Sequence, residues 1–249
     1  MFCEKEKGLK AMTYEEVVKK AKNFDRKGDK KIKFKSCKTW LNGDQINLWT
    51  YWQGYQLKAI DKKGVDILLV GQDWGNPDNY PNVIKIIEEI QNGSKTANYP
   101  SNSSPTDKTL SEMFKVFGNN IDIRDKNPGM RLFFTNYSLG YREGSGTGGM
   151  TKRLLKEDSE FFDDLVNAIK PKIIICLGKI TYEMVSGEVI KDFLIKLRKG
   201  EPFKAYYGKR VKIPVYGVAH PGSRGLYNVG SKENMQKAWE KIAKEYQEL

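Results

Sequence analysis

Four short, nearly continuous apolar segments alternate with longer amphipathic or polar stretches along the chain. They occupy residues 66–70, 131–136, 172–177 and 213–219. Runs of this length are typical of strands that are covered on both faces, and strands alternating with helices usually pair in parallel. The pattern therefore predicts an α/β fold, specifically a three-layer α/β/α sandwich with a central four-stranded parallel sheet.

Helix signals fall between these strands. Thr13 and Glu16 have the spacing of a capping box, which predicts a helix from Tyr14 to about Asn23. A second helix is expected after Asp44, and others near residues 82–92, 107–117, 159–169, 179–186, 188–199 and 232–247. Residues 24–38 and the glycine-rich segment 143–149 are predicted as loops, and residues 206–211 as the tip of a hairpin.

Positive charge is concentrated near the start of the chain. Of 249 residues, 43 are Lys or Arg and 31 are Asp or Glu, a net charge of +12, and residues 1–63 contribute +8 of it. A basic excess of this kind is typical of proteins that bind phosphates of a nucleic acid, although a solvated lysine-rich surface gives the same composition. We expect residues 1–63 to form a basic, aromatic-containing extension packed on a domain of residues 64–249. Deleting residues 1–38 should then weaken binding and leave the pocket chemistry intact.

Composition excludes several classes of protein. With 39% hydrophobic and 30% charged residues the chain can bury a core, so it is not disordered. No segment approaches the ~18 apolar residues of a membrane span, and the charged N-terminus lacks the apolar region of a secretory signal. Three scattered cysteines and one histidine argue against a metal site. We therefore expect a cytoplasmic protein without cofactor or metal, monomeric by default.

Candidate chemistry stands where three of the four strands end. The first strand runs into Gly71, Gln72, Asp73, Trp74 and Gly75, the second ends at Asn136, and the fourth is followed by His220. Ligands of open α/β sheets gather at the carboxyl ends of the strands. A carboxylate, an amide and the chain's single histidine should therefore share one edge. Each alone has a structural explanation: a turn cap, a partner for loop backbone, or a buried, satisfied histidine.

These residues resemble the uracil-DNA glycosylase superfamily. Gly71–Gly75 is similar to its GQDPY-type motif, Leu132–Asn136 to the strand that ends in the base-reading asparagine, and His220–Arg224 to its HPS-type loop. The resemblance covers roughly residues 65–247 and implies a four-stranded parallel sheet between helices. It also implies a DNA glycosylase of base excision repair, acting on uracil or a related pyrimidine in single- or double-stranded DNA.

The resemblance implies a role for each site residue. Asp73 would position the attacking water, His220 would donate a hydrogen bond to the departing base, and Asn136 would read its O4 and N3 edge. The wall around the base would be formed by Gly71, Gln72, Trp74, Gly75 and Asn136. DNA contacts would come from Ser223, Arg224 and Arg142. A base in a duplex must be flipped out to reach such a pocket.

Two departures from the family pattern affect specificity. Trp74 and Gly75 stand where the GQDPY form has Pro and Tyr, and Gly222 replaces the first serine of the HPS-type loop. The tyrosine is the residue that blocks a 5-methyl group, so its absence predicts tolerance of 5-substituted uracils.

Two other function classes remain open at the sequence level. One is a glycosylase or hydrolase that acts on another modified base or on a free nucleotide. The other is a non-catalytic nucleic-acid-binding module with the same fold, which the joint presence of Asp73, Asn136 and His220 disfavours.

Overall fold

A computed structural model describes most of the second half of the chain and several segments of the first. The described residues are 12–24, 26–27, 34–36, 64–76, 105–118, 130–143, 149–208 and 212–249. The helices predicted after Asp44 and at 82–92, and the glycine-rich residues 144–148, lie outside them.

The described strands form one five-stranded sheet and one short two-stranded ribbon. In chain order they are β1 (Phe34–Ser36), β2 (Ile67–Gly71), β3 (Leu132–Asn136), β4 (Gly140–Arg142), β5 (Ile173–Leu177), β6 (Phe203–Tyr207) and β7 (Ile213–Val218). The larger sheet has the order β3-β2-β5-β7-β6, in which the first four pair in parallel and β6 joins β7 antiparallel. The α/β class is confirmed, but the sheet is mixed and has five strands rather than four.

The fifth strand escaped prediction because it lies at the sheet edge. Lys204 and Tyr206 of β6 are exposed and alternate with the buried Ala205, so the strand lacks a continuous apolar run. By contrast, every residue of β2 and β5 is buried, as expected for central parallel strands, and the same holds for β3 at the other edge of the sheet.

Helices connect the strands, and two of them begin at caps that the sequence provides. They are α1 (Tyr14–Asn23), α2 (Pro105–Phe114, continued by a 3-10 turn at Lys115–Phe117), α3 (Lys152–Leu155), α4 (Ser159–Ile169), α5 (Lys179–Ser186), α6 (Phe193–Arg198), α7 (Ser223–Val229) and α8 (Lys232–Gln247). The capping box at Thr13 is present and Ser231 caps α8. Helix α7, which begins three residues after His220, was not predicted. Among the described residues no helix is long and apolar enough to cross a membrane.

The N-terminal segment packs into the same core. Tyr14, Val17 and Val18 of α1 are buried, and the helix lies against α4. Farther along, the Nε of Arg26 donates to Asp158 at 3.0 Å, and both side chains are completely shielded from solvent. Strand β1 then pairs antiparallel with β4. Deletion of residues 1–38 should therefore remove packing and cost stability, contrary to the expectation from charge alone.

The buried ion pair gives a direct test of that conclusion. Replacing Arg26 with Met leaves the Asp158 carboxylate buried without its charge partner, and we expect a loss of about 3–5 kcal/mol in the free energy of unfolding. Lys20→Met is the matched control, because Lys20 pairs with Glu160 and Asp164 on the surface, where such pairs contribute about 1 kcal/mol or less. Urea denaturation of both variants measures the difference; equal, small losses would show that the N-terminal segment is not structural.

Candidate functional site

One cavity opens at the carboxyl ends of the four parallel strands. Its volume is about 1080 Å³. Each parallel strand contributes lining residues just at or after its end: Gln72 and Asp73 after β2, Asn136 on β3, Leu177, Gly178 and Lys179 at β5, and Ala219 and His220 after β7. Asp73, Asn136 and His220 therefore line the same cavity, as their positions at strand ends suggest.

The ends of β2 and β3 are joined by backbone hydrogen bonds. Gly71 lies opposite Asn136 in the ladder, and the next two residues of the β3 turn, Tyr137 and Ser138, donate to the carbonyls of Gly71 and Gln72 at 2.9 and 3.1 Å. Position 71 has no room for a side chain, because a Cβ there would lie 2.0 Å from Oδ1 of Asn136. The glycine thus makes space for the carboxamide.

Asp73 is a buried carboxylate with an arginine partner. Its side chain is 5% exposed, and Nε of Arg142 donates to its Oδ2 at 2.8 Å. Burial raises the pKa of the Asp73 carboxyl above its usual value, and the charge and hydrogen bond of Arg142 oppose that rise. A carboxylate in this environment is a stronger base than one in water.

His220 is held in one tautomer. The backbone N–H of Gly222 donates to its Nδ1 at 3.0 Å, so Nδ1 must carry a lone pair and we infer that the hydrogen sits on Nε2. Although the residue is exposed at the cavity wall, desolvation by the surrounding protein lowers the pKa of the imidazole. Both effects favour a neutral ring that donates through Nε2.

Helix α7 lies directly against this histidine. A Cβ at Gly225 would come within 1.7 Å of the carbonyl oxygen of His220, so the close approach requires glycine. The helix places Ser223 and Arg224 on the cavity wall, and both are exposed. Two of the predicted DNA contacts therefore sit on a helix rather than on a loop.

The third predicted DNA contact has a different setting. Arg142 lines the cavity, but its side chain is 15% exposed and its Nε is engaged by Asp73. Arg142 thus lies beside Asp73, the candidate general base, and does not face outward as a phosphate contact would.

Three predicted base-binding residues lie beside the cavity and not on its wall. Trp74 is 4% exposed and belongs to the core, with its backbone N–H donating to the carbonyl of Gly140. Gly75 is exposed, and Gly71 is covered by Asn136. None of the three lines the cavity.

The sequence did not predict the part of the cavity wall at the end of β5. Candidate chemistry was expected at the other three strand ends, yet Gly178, with φ of 95°, turns the chain from β5 into α5 at the cavity. Its position at a fourth parallel strand end was the available signal. The other residues that were missed include Lys179, Ile180, Lys191, Phe193 and Ile195.

The described residues offer little to a metal ion. They contain no group of three or more His, Cys, Asp or Glu side chains that could bind one. Cys176 is fully buried in β5, and desolvation holds the pKa of its thiol well above the usual value, which disfavours a thiolate ligand.

Comparison of the chain with protein-family models and with curated proteins found no match. The residues of the cavity are therefore the basis for inferring a function.

A double-mutant cycle tests the packing of Gly71 against Asn136. Gly71→Ala should destabilise the fold by about 1–3 kcal/mol, the usual cost of overpacking. In an Asn136→Ala background the clashing oxygen is gone, so the same substitution should cost far less. Unfolding free energies of the two single variants and the double variant provide the coupling. Strictly additive costs would mean that Asn136 does not lie over position 71.

Proposed function

We propose that the chain is a DNA glycosylase that hydrolyses the N-glycosidic bond of uracil or a related modified pyrimidine. The observation that carries the proposal is the pairing, in one cavity, of a buried carboxylate with a histidine fixed as a neutral Nε2–H donor. We further infer a three-layer α/β/α arrangement, since strands buried at every position need cover on both faces.

The reaction separates charge, and the two groups suit its two halves. As the bond between C1′ and the base nitrogen breaks, its electron pair leaves with the base and positive charge develops on the sugar. Asp73 would stabilise that positive charge and accept a proton from the water whose oxygen bonds to C1′. The base anion would be stabilised by the Nε2–H of His220 and take a proton from solvent afterwards.

A neutral histidine can serve this role because its Nε2–H donates a hydrogen bond to the base anion. Hydrogen-bond donors fixed in a site that excludes water lower the barrier by about 3 kcal/mol when they meet charge that develops in the transition state. The Gly222 contact supports the assignment, because protonation of Nδ1 would break it.

Asn136 would supply recognition of the base. Its carboxamide can donate to O4 and accept from N3–H of uracil, whereas cytosine presents the opposite polarity at both positions. A mispaired buried polar group costs about 1–3 kcal/mol, which favours uracil. Asn136 is buried and fits closely over Gly71, and both observations support a fixed orientation of its carboxamide.

The cavity is larger than a base and carries cationic side chains. Lys179, Lys191 and Arg224 line it together with the apolar Ile180 and Phe193. This charge supports binding of a nucleotide within a phosphodiester chain, in line with the basic excess of the sequence. A free nucleotide also carries phosphate, so a nucleotide hydrolase is the second candidate.

The direct test is excision from a uracil-containing oligonucleotide, followed by alkali to cut the abasic product. Asp73→Asn and His220→Ala should each lower turnover by roughly a hundredfold or more, with DNA affinity nearly unchanged, because both residues act on charge that appears only in the transition state. Asp163→Asn, on the exposed face of α4, is the control and should retain activity. Turnover of free nucleotides without strand cleavage would favour the second candidate, and DNA binding without any turnover would favour a non-catalytic module.

Specificity at the base C5 position is a further expectation. With glycine at position 75 and the Trp74 indole packed in the core, the described part of this loop, residues 72–76, presents no ring to block a methyl group. Thymine in a mismatch and 5-hydroxymethyluracil should therefore be excised more slowly than uracil but measurably. Gly75→Tyr should suppress these substrates by about 1–3 kcal/mol, and Gly75→Ala should not. Rejection of every 5-substituted base by the wild type, unchanged in the Tyr variant, would place position 75 away from C5.

A further inference from the structure

Two arginine–carboxylate pairs flank strand β2. At its amino end, the Asp66 carboxylate forms salt bridges with Nη2 of Arg131 and with Nζ of Lys172, each at 2.9 Å. At its carboxyl end, Asp73 receives Nε of Arg142 at 2.8 Å. Only the second pair lines the cavity.

The two carboxylates differ in how well their charge is compensated. Burial opposes ionisation of Asp66, but hydrogen bonds from Arg131 and Lys172 outweigh it and hold its pKa well below the usual range. For Asp73, burial outweighs Arg142 and the pKa is raised. Without Arg142, the largely desolvated carboxyl of Asp73 would be neutral over a wider range of pH.

Arg142 is itself fixed from two sides. The residue ends β4, whose Gly140 carbonyl accepts the backbone N–H of Trp74 from the Asp73 loop at 3.1 Å. On its other side β4 pairs with β1, and Phe34 lies opposite Arg142 in that ladder. The loop that carries the carboxylate and the strand that carries its partner are thus parts of one hydrogen-bonded unit, to which the N-terminal segment contributes a strand.

The two carboxylate oxygens of Asp73 differ in their hydrogen bonding. Oδ2 accepts from Arg142, while none of the described residues donates a hydrogen bond to Oδ1. Among the described residues, Oδ1 is thus the carboxylate oxygen left to accept a hydrogen bond from a substrate water.

We propose that Arg142 is a positioning residue, which holds Asp73 ionised and turns its Oδ1 toward the attacking water, and that it does not act as a DNA phosphate contact. The proposal rests on the glycosylase function for its kinetic readout alone. Other charged or titratable side chains on the cavity are Lys179, Lys191, Asp192, His220 and Arg224, and none of them contributes to the pKa shift of Asp73.

The sign of the expected pH effect follows from the role of Asp73 as a base. Activity requires the ionised form, so it is present above the pKa of Asp73 and is lost as the pH falls through it. Removing the positive charge of Arg142 raises that pKa further and moves the acid limb of the pH–rate profile toward neutral pH.

The test compares Arg142→Gln, Arg142→Lys and the matched control Arg131→Gln in single-turnover excision from acidic to alkaline pH. In Arg142→Gln the rate at acidic pH should fall on the order of tenfold relative to its own alkaline plateau, because an opposite charge at contact distance commonly shifts a carboxyl by one unit or more. Arg142→Lys should restore much of the profile. Arg131→Gln should leave it in place, since Lys172 still pairs with Asp66.

The phosphate-contact role makes the opposite prediction. Loss of a DNA contact raises KM and lowers the salt dependence of binding by about one counterion, with an unshifted acid limb. That outcome would overturn the proposal.

A titration without substrate separates this proposal from the proposed function. The carboxyl ¹³C resonance of Asp73, assigned by its loss in Asp73→Asn, should titrate at higher pH in Arg142→Gln than in wild type and Arg131→Gln. This shift is expected even if the wild type excises no uracil, in which case the glycosylase function fails and the positioning role stands. An unchanged titration midpoint in Arg142→Gln would refute the positioning role whatever the substrate.

Discussion

The arrangement of the cavity depends on one buried carboxylate outside it. Asp158 accepts hydrogen bonds from Arg26, from the hydroxyl of Ser138 at 2.6 Å and from the backbone of Leu139 at 3.4 Å. Ser138 lies two residues after Asn136, so the same carboxylate anchors the N-terminal segment and the turn that leaves β3. A charge so completely buried is stable only while its partners are present, which makes the turn and the N-terminal segment interdependent.

That turn connects Asn136 to Arg142, the charge partner of Asp73. From Asn136 the chain passes through the anchored turn and into β4, which delivers Arg142 to Asp73. Tyr137 adds a second anchor, because its ring stacks on Phe162 with 4.7 Å between centroids. Fixed backbone at both ends of a short turn limits the freedom of side chains between and beside them, which is a requirement for a site whose groups must meet developing charge without reorganising.

The sequence predicted the parts of the fold that depend on periodicity and local caps. Strands β2 and β5 have no polar residue, β3 is polar only at Thr135 and Asn136, and Thr13 and Ser231 cap their helices as their spacing indicates. Strands β1 and β4 were missed because each has three residues, too few to show an alternation of apolar and polar positions. The partner of Asp73 could not be predicted either: the pairing joins residues 69 positions apart through a turn whose path is set by burial of Asp158, and no local pattern encodes it. Arg142 was accordingly grouped with the DNA contacts and not with Asp73.

Asp73 and His220 line the same cavity as the cationic side chains of Lys179, Lys191 and Arg224. Burial lowers the pKa of the His220 imidazole and raises the pKa of the Asp73 carboxyl, so it favours the neutral form of each group. A fully ionised, strongly paired carboxylate such as Asp66 would be a weak base, because its partners stabilise the ground state as much as any later state. Among the described residues, Arg142 pairs with Asp73 and stabilises its charged form, and burial still leaves the pKa of the carboxyl raised. The two ion pairs that flank β2 therefore differ in how well they compensate the buried carboxylate. Only the less compensated pair, Asp73 with Arg142, faces the cavity.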